Sequence, residues 1–142
     1  MGYSYIIIPL IVVITSQVLK LLTDSVRGNF DLKNLLISYG GMPSAHTALA
    51  TSITTLVGLE VGVDSLLFAV SLVFTVLVAR DAISFRNILG KQAAIINRFM
   101  AQLPTSQTSD LPRLREQMGH SLLEVAAGAL WGGVITFFLF LI

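Results

Sequence analysis

AHTALATSITTLVGLEVGVDSLLFAVSLVFTVLVARDAIS, residues 45–84, is the stretch that decides the fold. It holds two apolar runs, about Ala45 to Val63 and about Ser65 to Ser84. Each is near the roughly 20 residues an α-helix needs to cross a bilayer. Only a short turn near Gly62, Val63 and Asp64 separates them, so they form an antiparallel hairpin. Two further runs of the same kind flank it. One covers about Tyr3 to Leu22, with Pro9 near its start; the other covers about Leu122 to Ile142, where Glu124 is the only charge. The reading is an all-α, polytopic membrane helix bundle of about four spanning helices, forming one integral membrane domain over residues 1–142.

Composition agrees. Of 142 residues, 54% are hydrophobic and 12% charged, about half the charge fraction of a soluble domain. There is no cysteine, so disulfides and thiolate metal sites are excluded. A net charge of +1 does not point to nucleic acid. The first apolar run lacks a basic leader and a small-residue cleavage site, and reads as a retained helix.

The connections have their own character. Asp31 to Tyr39 sets Leu32, Leu35, Leu36 and Tyr39 on one helical face, opposite Lys33 and Asn34. Arg86 to Ala101 mixes Ile88, Leu89, Ile95, Ile96, Phe99 and Met100 with Lys91, Gln92, Asn97 and Arg98. Both read as amphipathic helices at the membrane interface. Pro104 to Pro112 reads as a loop. With four spans, segments 23–44 and 86–117 share one side of the membrane, and the termini share the other with the 62–64 turn. All nine Lys and Arg residues fall on the first side or at helix ends facing it, against Glu60 and Asp64 on the second. The positive-inside rule therefore places both long connections on the cytoplasmic side, or its organellar equivalent.

Four groups of residues carry chemistry. Lys20 and Arg27 are two helical turns apart and can point the same way to hold a phosphate dianion; alone, they read more simply as positive-inside anchors. Gly40-Gly41-Met42-Pro43-Ser44-Ala45-His46 opens the second span. Paired glycines allow close backbone approach, proline suits a first helical turn, and the free N–H groups there with the Ser44 hydroxyl form an anion cradle below His46. The plain alternative is a helix cap with an interfacial histidine. His120 and Glu124 are four residues apart, hence on one helical face, where a carboxylate can orient an imidazole for nucleophilic attack; the alternative is a structural polar pair. Asp81, between Arg80 and Arg86, reads first as a salt-bridge partner and second as an orienting group.

Three of these blocks resemble the ordered motifs of the type-2 phosphatidic acid phosphatase superfamily, which is related to vanadium haloperoxidases. Lys20, six residues, then Arg27-Gly28 is similar to its first motif, and Pro43-Ser44-Ala45-His46 to its second. Arg115, four residues, His120, three residues and Glu124 approach its third. The chain is closer still to the divergent branch, through Gly40 to Ser44, Asp81-Ala82, Arg86, Gly90, Gln92-Ala93 and Gly119 to Val125. The match runs from about Gln17 to Gly128. It departs at Gly28, Ala45, Glu124 and the spacing of Arg115, and in having four spans where typical members have six.

The resemblance implies a metal-independent lipid phosphate phosphatase with no cofactor. His120 would attack phosphorus to form a phosphohistidine, His46 would protonate the leaving oxygen, and Glu124 would orient His120. Lys20, Arg27, Arg115, Ser44 and the backbone near Ala45 would hold the phosphoryl oxygens, with Asp81, Arg80, Arg86, Gly40 and Gly41 in support. The implied substrate is a membrane lipid phosphate at the cytoplasmic interface, such as phosphatidylglycerophosphate or phosphatidate, with undecaprenyl pyrophosphate less natural there. The two absent helices imply that copies of the chain assemble to complete the bundle. A non-catalytic binder of anionic headgroups is the rival reading. A metal site of His46, His120, Glu124 and Asp81 is a third, and a polar path for ions ranks last.

Overall fold

The computed structural model describes residues 4–26, 41–104, 108 and 110–142. Among these, all regular structure is helical: α1 (Ser4–Val26), α2 (Ala45–Glu60), α3 (Leu66–Ile83), α4 (Phe85–Met100) and α5 (Leu122–Phe140). The stretch Asp31 to Tyr39, together with Arg27, Gly28 and Gly40, lies outside the described residues.

The bundle is inverted relative to a soluble one. Its outside is apolar: Ile6, Leu10 and Ile14 on α1, Leu66, Val70 and Phe74 on α3, and Leu130 and Phe138 on α5 are all exposed. Its inside is small and hydroxyl-bearing, with Ser16, Thr47, Ala48, Ser52 and Thr136 sealed from solvent. In lipid no hydrophobic force draws helices together, so close backbone packing and interhelical hydrogen bonds must do it. The runs read as apolar all round therefore face lipid.

Among the described residues, three helices are long and apolar enough to cross a membrane. The fourth expected span is shorter than its sequence reading: α2 stops at Glu60 after 16 residues, about 24 Å against a hydrocarbon core of about 30 Å. It is the hub, packing against α1, α3 and α5. The α2–α5 seam runs in parallel. Any Cβ on Gly128 would run into the backbone of Ser44, and one on Gly132 into that of Ala48. Four residues on, Thr136 donates to Ser52 at 2.6 Å. Thr54 reaches Thr75 of α3 at 2.8 Å, and Trp131 of α5 donates to Thr15 of α1 at 3.2 Å.

The two ends of the bundle differ as the charges suggested. At one end Tyr5 donates to Glu60 at 2.7 Å, and Ser4, Phe140 and Ile142 line the same hollow. The other end gathers the close of α1, the start of α2, the α3–α4 junction and the start of α5. α4 keeps the expected amphipathic form: Phe85, Ile88, Leu89, Ile95, Ile96 and Phe99 are exposed on one face, while Gly90 and Ala93 are buried against the rest of the chain.

Candidate functional site

The site is built around a break in a helix. The ladder of α3 ends where Ser84 N–H donates to Arg80 O (2.8 Å), and that of α4 begins where Ile88 N–H donates to Ser84 O (3.0 Å). Carbonyls at a helix end need outside partners. His120 N–H takes the Ala82 carbonyl at 3.0 Å, and the Asn87 amide takes that of Ile83 at 2.6 Å. The same amide nitrogen also donates to the carbonyl of His120 at 3.2 Å. Gly119 precedes with φ +94°, a conformation that favours glycine. The junction of α3 and α4 thus holds His120 by both backbone groups, and the residue is only 6% exposed.

Further along α4, Asn97 grips the segment leading to His120. Its amide donates to Leu114 O (2.7 Å) and accepts from Leu114 N–H (2.9 Å). It also reaches Glu116 at 2.9 Å. Gly90 lets the backbone of Glu116 lie directly on the helix.

His46 stands in the first turn of α2 and is exposed. Before it, Gly41 has φ +89° and the Met42–Pro43 bond is cis. Thr23 at the end of α1 donates to Met42 O at 2.8 Å, tying this turn to the helix that carries Lys20. Lys20 itself is 7% exposed. The first intrahelical bond of α2 is Ala48 N–H to Ser44 O. Helix geometry leaves the N–H groups of Ala45, His46 and Thr47 ahead of it without an intrahelical acceptor.

Two expected roles change here. Ser44 is wholly buried. Its N–H donates to Glu124 O at 3.0 Å and its hydroxyl pairs with Thr47 at 3.0 Å, so it joins α2 to α5 and does not open the cradle with its hydroxyl. Glu124 does not bond the imidazole. Its carboxylate accepts from Ser121 N–H at 2.9 Å, completing a capping box with the Ser121 side chain. The buried Nδ1 of His120 has no hydrogen-bond partner among the described residues. The cap wins because a carboxylate three residues into a helix meets an unpaired N–H at short range.

The charges converge. Burial holds the pKa of His120 below the ordinary 6.5; Glu124 opposes this, while Lys20, His46 and Arg86 add to it. Arg86, Lys20 and Asp81 act on His46. Among the described residues, the arginine felt by both imidazoles is Arg86. Its Nε donates to Asp81 at 2.8 Å, the salt bridge expected for that acid. Arg115 is exposed on the segment gripped by Asn97. Arg80 is exposed. Among the described residues no three of His, Asp and Glu converge as metal ligands would. Asn87 and Asn97 escaped the sequence reading; the available signal was asparagine, a poor helix former, twice inside one helix.

The sequence model of the Divergent PAP2 family matches residues 2–135. The chain is also 39% identical over 114 residues to a protein of Bacillus subtilis (strain 168) described as uncharacterized membrane protein YuiD, covering 72% of each chain. No solved structure matches.

Proposed function

Since this chain belongs to the Divergent PAP2 family, we propose that it is a metal-independent lipid phosphate phosphatase whose site faces the cytoplasmic interface. One feature supports the reading: Lys20 of α1, His46 of α2 and Arg86 of α4 all contribute to the electrostatic surroundings of His120 at the start of α5. Phosphoryl transfer asks mainly for in-line placement and neutralised oxygen charge. Lys20, Arg86 and the first-turn N–H groups of α2 supply the charge.

His120 attacks through Nε2, because Nδ1 is sealed inside. The P–N bond forms as the bond from phosphorus to the lipid oxygen breaks, and His46 gives its proton to that oxygen. Water then attacks the phosphohistidine, His46 takes a proton from it, and inorganic phosphate leaves. The lipid tails lie against the apolar flanks of the helices. The end that carries all nine Lys and Arg residues favours substrates of the cytoplasmic leaflet, phosphatidylglycerophosphate or phosphatidate.

The test is phosphate release by the purified protein from a panel of lipid phosphates. Release should fall by roughly a thousandfold or more in His120→Ala, the loss expected of an essential nucleophile. Release that is unchanged in this variant ends the proposal. One observation favours a second reading, a protein that binds anionic headgroups without turning them over: the Glu124 carboxylate caps α5, and His120 Nδ1 has no partner among the described residues. Headgroup binding that survives His120→Ala, with no turnover of any lipid, would select it.

A further inference from the structure

We propose that Asn87 is the positioning residue of this site, its side-chain amide locking the backbone of His120 onto the break between α3 and α4. Three observations meet at this residue. Its amide joins two carbonyls far apart in sequence, Ile83 O at 2.6 Å and His120 O at 3.2 Å. The chain before His120 is pressed against it: a Cβ added at Gly119 would stand 2.8 Å from the Asn87 backbone nitrogen. Finally, among the described residues nothing holds the ring through Nδ1, so its aim rests on where the backbone is held.

The backbone has two anchors, Ala82 O and the Asn87 amide. The first is a single bond to a helix-end carbonyl. The second also keeps that helix end closed, because the same amide satisfies Ile83. Without it, the Ile83 carbonyl loses that partner, the junction relaxes and His120 moves outward. A shift on the order of one ångström is enough to spoil an in-line attack. The groups facing His120 are Glu124 beside it, Lys20 from α1, His46 from α2 and Arg86 from α4. None of them changes in an Asn87 variant, so a changed titration of His120 reports its placement.

The catalytic part of this inference rests on the phosphatase reading; the structural part does not. The experiment therefore has two arms, both on the full chain in detergent micelles or bilayers. In the first, ring-labelled histidine is titrated by NMR, the two signals being assigned with His46→Gln. Wild-type His120 should titrate below 6.5, since burial disfavours its cation. In Asn87→Ala the midpoint should rise toward 6.5 as the ring gains water. Asn97→Ala, at the other grip of α4, should leave it in place. Asn87→Leu, without the donor but of similar volume, takes over if the alanine variant does not fold. In the second arm, kcat for lipid phosphate should fall on the order of a hundredfold in the Asn87 variant with KM within about twofold. The acid limb of its pH profile should move to higher pH, because the neutral imidazole is lost sooner on acidification. An unmoved His120 midpoint in a folded Asn87 variant overturns the proposal, as does an equal shift in Asn97→Ala. A shifted midpoint in a protein that releases no phosphate from any lipid keeps Asn87 as the anchor and removes the phosphatase reading instead.

Discussion

The seam between α2 and α5 and the contact between α4 and residues 114–120 join the chain in opposite ways. At the seam the backbones meet directly: Gly128 and Gly132 leave no room for a side chain over Ser44 and Ala48. At the other contact, two asparagine side chains reach across and bond to main-chain groups of Leu114 and His120. The first is a shape fit repeated every four residues, so it fixes the relative height of the two helices that begin at the site. The second is a pair of grips on a segment without helical structure. It fixes the aim of one residue but not the bundle. In lipid this division follows from what is available: close approach of small residues holds helices together, while an irregular segment needs a partner for its own backbone groups.

Three substitutions probe the contrast, in order of expected effect. Gly132→Val should wedge the seam open at a cost of roughly 3 kcal/mol, read as a lower thermal midpoint or loss of monodisperse protein. A folded Gly132→Val with wild-type stability would mean that shape does not hold the seam. Asn97→Ala removes three bonds to Leu114 and Glu116 and should cost about 1 kcal/mol. Its clearer mark is faster amide exchange confined to residues near 114–116. Exchange that quickens equally along α2 would show the two contacts to be one cooperative unit. Thr136→Val deletes the hydroxyl pair with Ser52 and should cost about 0.6 kcal/mol, the average for such bonds between membrane helices. If it costs more than Asn97→Ala, hydrogen bonding and not close packing dominates the seam.

Much of this was legible beforehand. Apolar runs gave the helices within a few residues, except that the span read as Ala45 to Val63 ends at Glu60. The charge pattern put the termini and the Glu60 turn at one end and the motif-bearing segments at the other. Lys20, His46 and His120 were singled out by residue type and setting, and Lys20 and His46 both bear on the electrostatics of His120. Three roles read differently in the folded chain. Ser44, expected to offer its hydroxyl to an anion, is consumed by Glu124 O and Thr47. Glu124, expected to orient His120, caps its own helix. Arg86, read as support, contributes to the electrostatics of both imidazoles.

The amino-acid order alone determined which segments enter lipid and at which end the charged groups lie. Hydropathy and charge act on each segment separately, and the bilayer sorts segments one by one. The tertiary structure decided which partner each polar group takes. A hydroxyl, a carboxylate or a guanidinium has several acceptors or donors within reach of its own sequence. The choice falls to whichever distant backbone is brought near, as Ala82 and Asn87 are brought to His120. Spacing along the chain holds no record of that meeting, because the break at Ser84 that creates the open carbonyls is itself stabilised by the segment that fills them.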